Sequence, residues 1–289
     1  MVTSIAGLAG RLPLPFALVL GRRLGDLVWL LLRSRRRLAL ANVAVAFPDL
    51  PAADRRQIAR RSFQHLGMVV AEVCRALRDP VEATLDRVNV DGLEYVKGVM
   101  AVHGRALLVS AHLGNWELLT LAYRVSGFPL SVVVRPLDAP AVAGVMRRLR
   151  AAGGANMIAK RDALRPVLEA LRGGHLVAIL LDQNASRREG VFVPFFGRLA
   201  STSRSVATLA IRTGTPIMPL FIRREPDGRH RITVRPPIMP NAATSDDAVT
   251  ELTRRCTAAI ETAVREAPDQ WLWMHARWRT RPAGERRPS

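Results

Sequence analysis

The sequence predicts an α/β fold in which a mostly parallel central sheet is flanked by helices. From residue 88 onward, short apolar and β-branched runs alternate with stretches of helical period. Each helical stretch is long enough to serve as the crossover that two parallel strands require. At 289 residues, 49% of them hydrophobic, the chain can also bury one sizeable core.

The N-terminal element resembles a membrane span but stops short of one. Residues 12–20 are apolar yet contain Pro13 and Pro15; residues 24–32 are apolar yet follow Arg22 and Arg23 and contain Asp26. Neither run reaches the roughly 20 residues a span needs, and each central charge costs about 2.5 to 3.5 kcal/mol. Arginines 33, 35, 36 and 37 follow at once, as in a segment lying on an anionic leaflet with its cations among the headgroups. A signal peptide is not expected, because the first cation is Arg11 and the small-residue site at 39–41 follows the arginine cluster. Residues 1–48 are therefore expected to form an N-terminal membrane-interfacial segment of helices. Residues 49–282 form a single α/β domain, and 283–289 a loosely ordered Arg- and Pro-rich tail.

Residues 54–77 carry apolar side chains at 58, 66, 69, 70, 73 and 77, with arginines 55, 56, 60 and 61 opposite, which is an amphipathic helix. Its His65 has no acid at an obvious matching offset and is assigned to structure. The expected strands are 106–110, 130–134, 155–158, 175–181, 216–222 and 231–234. Helices fall near 117–124, 140–151, 162–172 and 203–212, and a last long one covers 246–267. Ligand sites in such sheets lie at the carboxyl ends of strands. His112, Arg135 and Asp182 each stand at such an end and are expected to converge on one mouth.

The segment His112-Leu-Gly-Asn-Trp-Glu117 places an imidazole and a carboxylate five residues apart where strand gives way to helix. On a continuous helix five residues turn about 500°, leaving the side chains some 140° apart, so they meet only if His112 precedes the helix. Gly114 permits that break and Asn115 is the expected helix cap. A helix N-terminus beside His112 is expected to lower its pKa and keep the ring neutral, hence able to accept a proton. A lone histidine is more often a core residue satisfied by the backbone. The acid at a matched offset favours chemistry instead. There is no G-x-S-x-G nucleophile elbow, so direct attack by a hydroxyl on an activated carbonyl such as a thioester is the simpler scheme. His112 would act as base and Glu117 would orient the ring. Arg135 is a candidate phosphate clamp or a surface cation. Asp182 either orders the site or caps a turn. Residues 190–197 line an apolar groove, turn a hairpin, or are core. Thr202, Ser203 and Arg204 are expected to begin a helix and present N–H groups to an anion.

Lys and Arg number 43 against 24 Asp and Glu, a net +19, and only Lys97 and Lys160 are lysines. Such a charge attracts anionic partners. Nucleic acid is the poorer candidate, since aromatics make up only 5% of residues and no recognition-helix, zinc or RNA-binding motif occurs. Cys74 and Cys256 make neither a disulfide framework nor a zinc site and read as thiols in a reducing compartment. The six histidines lack metal-ligand spacing, so no metal and no cofactor are expected.

His112-Leu-Gly-Asn-Trp-Glu117, Arg135-Pro136, Asp182-Gln183, the 190–197 segment with Thr202, Gly214-Thr-Pro-Ile-Met-Pro219 and Trp271-Leu-Trp-Met-His275-Ala-Arg-Trp278 occur in that order. Together they resemble the bacterial lipid A late acyltransferases, the lauroyl/myristoyl transferase family. The resemblance runs from about Arg37 to Pro282. That family is similar in its core to the glycerolipid acyltransferases, whose histidine and acid share this spacing, and the resemblance implies their fold. It further implies an acyl carrier protein or coenzyme A thioester as donor. The implied acceptor is a hydroxyl of an acylated, phosphorylated glycolipid at the cytoplasmic face of the inner membrane. His112 is the implied base and Glu117 its partner. Asn115, Arg135, Asp182, Gln183, Gly197, Thr202 and Arg204 are the implied substrate-binding positions. The broken N-terminal segment departs from members with a clearer anchor and implies peripheral or N-terminally anchored attachment. A related branch acylates phosphatidylinositol mannosides, with overlapping core motifs; the Trp-rich close looks more like the lipid A branch.

Overall fold

The structure, a computed structural model, describes residues 10–135, 140–241 and 245–284. Pro136 and residues 285–289 of the expected tail lie outside the described residues. Three helices come first: α1 (Leu14–Leu31), α2 (Arg33–Ala46) and α3 (Ala52–Ala76). The short α4 (Val81–Leu85) leads to β1 (Val88–Asp91), α5 (Leu93–His103) and β2 (Ala106–Ser110). After a 3-10 turn at Trp116–Leu118 come α6 (Leu119–Ala122), β3 (Leu130–Val134), α7 (Pro140–Gly153), β4 (Asn156–Ala159), α8 (Leu164–Arg172) and β5 (Leu176–Leu180). A hairpin of β6 (Gly190–Phe195) and β7 (Arg198–Ser203) precedes α9 (Ser205–Thr213), β8 (Ile217–Arg224), β9 (His230–Val234) and α10 (Asp246–Glu266).

Seven strands form one sheet in the order β1-β9-β8-β2-β5-β3-β4. All neighbours are parallel except β8 and β9. The α/β class and the mostly parallel sheet are as expected. β2 and β5 are central and apolar on both faces, which is why their sequences read as unbroken hydrophobic runs. Two features escape the apolar pattern: the four-residue strand β1, and the antiparallel return of β9. The helix expected at 117–124 is instead a 3-10 turn, one turn of α-helix and a second 3-10 turn.

The N-terminal apolar runs join into a single helix, α1. Ala17, Gly21, Gly25 and Trp29 face inward, one residue per turn. They pack on α3 so closely that a Cβ on Gly21 would lie 2.5 Å from the carbonyl oxygen of Gly67, and one on Gly25 would lie 2.3 Å from that of Phe63. The opposite stripe, Phe16, Leu20, Leu24, Leu27 and Leu31, is exposed. No described helix is long and apolar enough to cross a membrane. Trp29, Ala39 and Val43 belong to the same hydrophobic cluster as β2, α9 and α10.

Candidate active site

His112 lies two residues beyond β2, and Asp182 two residues beyond the neighbouring strand β5. Parallel pairing of Ser110 with Leu180 brings the two ends together. His112 Nδ1 is 2.8 Å from Asp182 Oδ1. The other carboxylate oxygen accepts the His112 backbone N–H at 2.9 Å and the Trp271 indole N–H at 2.8 Å. Burial alone would raise the Asp182 pKa, but the adjacent imidazole and these donors hold it at about 2. Burial likewise pulls His112 down; the charge and hydrogen bond of Asp182, helped by the charge of Glu117, outweigh it, and the net shift is upward. The expected downward shift is thus corrected. The ring faces an ionised acid, and only a three-residue 3-10 turn follows it, with little dipole to oppose that acid.

The orienting acid is Asp182, not Glu117. Glu117 is held by Arg150 on α7 through two bonds, Nε to Oε2 at 3.0 Å and Nη2 to Oε1 at 2.7 Å, and accepts the Trp116 indole at 3.2 Å. It is near enough to His112 for its charge to act on the ring. The Trp116 ring packs edge-on against the imidazole at 5.1 Å between centroids. Arg150 was invisible to motif reading because it lies 33 residues from its partner.

The loop carrying His112 is fixed from behind. A Cβ on Gly114, whose φ is +59°, would lie 2.1 Å from the Ile222 carbonyl oxygen, so glycine is needed for both space and conformation. Asn115 is fully buried and does not cap the turn. Its amide donates to Glu72 Oε2 at 2.8 Å. Glu72, on α3, also receives Arg224 and His230. Burial would raise its pKa, but these partners hold it at about 2. His65 lies seven residues before Glu72, two helical turns away on the same face, so an acid at a matching offset does exist. Burial and the Arg224 charge keep that ring neutral, with a pKa of about 3.

A groove of about 1510 Å³ opens at the carboxyl ends of the strands. One limb runs over the sheet face formed by Leu108, Leu130, Val132, Leu176, Ala178, Leu220 and Ile232, roofed by α5 and the 119–126 turns. Side chains alternate along a strand, and the register aligns these even-numbered residues on one face. The limb is apolar. On the other side lie Val133, Ile179, Val167 and Leu209, rimmed by Lys160, Arg172, Arg188 and Arg212.

The expected substrate-binding positions divide. Arg135, Gln183 and Arg204 line the groove, as do His112 and Glu117. Asp182 stands behind His112, 3% exposed. Thr202 lies in β7, not at a helix start; it is fully buried and accepts the Arg277 guanidinium at 2.6 Å. Helix α9 begins at Ser205, with Arg204 at its cap position and its guanidinium paired with Asp246. Gly197, φ +71°, and Phe196, φ +52°, form the two-residue turn between β6 and β7, where a mirror-image turn demands positive φ at both positions. The 190–197 segment therefore turns a hairpin, and its Phe195 is core. Trp271, Trp273 and Trp278 are buried packing rather than interfacial anchors. Cys256 is buried, its thiol pushed up to about 12 by that burial, and Cys74 is half-buried.

Comparison with known proteins agrees with this arrangement. The E. coli (strain K12) lipid A biosynthesis lauroyltransferase is 29% identical over 288 residues, covering 97% of this chain and 91% of that one. The palmitoleoyltransferase of the same organism is 28% identical over 279 residues, covering 95% and 89%. The crystal structure of the 1-acyl-sn-glycerophosphate acyltransferase PlsC from Thermotoga maritima aligns with a TM-score of 0.41 at 18% identity, covering 86% of this chain and 99% of that one. The family profile described as bacterial lipid A biosynthesis acyltransferase matches residues 2–280. The chain is a member of the bacterial lipid A biosynthesis acyltransferase family, an O-acyltransferase.

Proposed function

We propose that this protein transfers a fatty acyl chain from a thioester donor, an acyl carrier protein or coenzyme A, to a hydroxyl of a lipid A precursor. The single observation that carries this is the His112–Asp182 pair at the mouth of a groove with a long apolar limb and a basic rim. Asp182 accepts the Nδ1 proton, leaving Nε2 free to act as base. Nε2 takes the proton of the acceptor hydroxyl as its oxygen attacks the thioester carbonyl. The tetrahedral oxyanion collapses, the C–S bond breaks, and the imidazolium returns its proton to the departing thiolate. Glu117, held by Arg150, supports the imidazolium electrostatically. The apolar limb suits the acyl chain, and the basic rim suits phosphates of the glycolipid or of the donor's phosphopantetheine arm.

The exposed leucine stripe of α1, followed by Arg33, Arg35, Arg36 and Arg37, suits peripheral docking on an anionic leaflet, in this reading the cytoplasmic face of the inner membrane. An acidic carrier protein is the donor partner that the basic surface favours.

The test is a mass-spectrometric assay of purified protein in detergent. Labelled acyl carrier protein and acyl coenzyme A are supplied separately, with a lipid A precursor or a phosphatidylinositol mannoside as acceptor. A one-acyl mass increase on the lipid A precursor, absent in His112→Ala, is the expected result. Transfer to the mannoside alone would move the protein to that branch, and thioester cleavage without transfer to either lipid would make it a hydrolase.

A further inference from the structure

Gln183 follows Asp182 directly, and its amide nitrogen stands 3.3 Å from His112 Nε2. Because Asp182 accepts the Nδ1 proton, Nε2 carries the lone pair and the amide donates to it. The atom that Gln183 covers is therefore the base of the proposed reaction. Its neighbours are pinned: Asp182 by His112 N–H and Trp271, and Asn184 by its N–H donating to His275 Nε2 at 3.0 Å.

We infer that Gln183 guards the base against water, occupying Nε2 until an acceptor hydroxyl held in the groove displaces its amide. The inference rests on the proposed thioester chemistry and adds to it the residue that selects alcohol over water. A thioester beside a bare base is open to hydrolysis. Water attacks the carbonyl carbon, its proton passes to Nε2, the C–S bond breaks, and the thiolate leaves with that proton, giving a free fatty acid and a thiol. Water has to break the Gln183 bond unaided, whereas a lipid acceptor draws on its contacts along the groove. Gln183 acts through His112 and is a positioning residue.

The experiment measures thiol release from a long-chain acyl coenzyme A by the full chain without acceptor, and acyl transfer with a lipid A precursor. Gln183→Ala, and Gln183→Asn with its amide one methylene short, should each release thiol roughly fivefold faster than wild type, the rate equivalent of one neutral hydrogen bond. The ratio of transfer to hydrolysis should fall, and Gln183→Ala combined with His112→Ala should release none. A merely structural role would lower both rates together. Thiol release no faster than wild type in whichever variant keeps the wild-type melting temperature overturns the guard. Faster release in the variants, with no acyl group reaching the glycolipid even in wild type, would leave the guard standing and remove the acceptor assignment.

Discussion

Asp182 and His112, separated by 70 residues, form the 2.8 Å contact on which the site depends, and Asp182 accepts on both of its oxygens. An asparagine there cannot do the same. If its oxygen faces the ring, its NH2 meets the His112 and Trp271 N–H donors. If it is turned around, the NH2 donates to Nδ1 and moves the ring proton to Nε2, which removes the base. Asp182→Asn should therefore lower kcat by about 10²- to 10⁴-fold with the fold retained. Burial depresses the His112 pKa, but the Asp182 charge and hydrogen bond carry the net shift above the ordinary value. The ring must be neutral to act, so the acidic limb of kcat/KM should lie above 6.5 in wild type and move down in Asp182→Asn. Steady-state kinetics across pH 5 to 9 checks both, and a wild-type profile in the variant would remove Asp182 from the mechanism.

Glu117 and Arg150 act on His112 with opposite sign, the carboxylate raising its pKa and the guanidinium lowering it. Glu117→Ala should shift the acidic limb down and reduce kcat far more than affinity, while Arg150→Ala should shift the limb up. The double variant should return it close to the wild-type position. Both side chains are mostly buried, 16% and 10% exposed, so breaking the pair from either side should also cost about 3 kcal/mol of stability. Shifts of the same sign in both single variants would show that the pair acts through structure and not through charge.

Much of this arrangement is legible along the chain. β2, β3 and β5 are buried on both faces and announce themselves as apolar runs. The rule that sites lie at strand carboxyl ends picks out His112, Arg135 and Asp182 together. Roles are harder to read than positions. Glu117 stands at the offset of a partner, yet Arg150 captures it, and the partner Asp182 comes from the adjacent strand. Such pairings are set by sheet register, which has no local period. Glu72 reads as one polar residue on an amphipathic helix; only the tertiary fold shows Asn115, Arg224 and His230 gathered on it. Asn115 has the residue type of a cap, but a buried acid within reach outbids the turn for its amide.

The exposed stripe of α1 can be separated from the fold because its buried stripe is a different set of residues. Leu24→Ser and Leu27→Ser remove side chains that are 49% and 47% exposed and touch little protein. Each should leave the melting temperature unchanged. If the stripe enters a leaflet, each should weaken flotation with anionic vesicles by about 1.5 to 3 kcal/mol, roughly 10- to 100-fold. Gly25→Ala is the contrasting case. Its Cβ would meet the Phe63 carbonyl oxygen at 2.3 Å, so α1 has to lift from α3 and the melting temperature should fall. Undiminished flotation of both leucine variants would exclude α1 as the docking element.

Acid should destabilise the protein through groups behind the active site. Burial, with the Arg224 charge, holds His65 at about 3, well below its ordinary 6.5. Between those values the unfolded chain binds a proton that the folded chain refuses, so stability falls as pH drops below 6.5. Glu72 adds a lower window. Burial opposes its ionisation, but His230 and Arg224 hold it at about 2, so its contribution is present above 4.5 and is lost as pH falls toward 2. His112 has the opposite sign: its raised pKa adds stability below 6.5 that is lost as pH rises through the folded value. The melting temperature should therefore drop steeply between pH 6.5 and 4. His65→Asn removes a titrating group whose Nε2 has no partner, and it should flatten that slope whatever it does to the midpoint at neutral pH. An unchanged slope would mean that His65 is not held neutral in the fold.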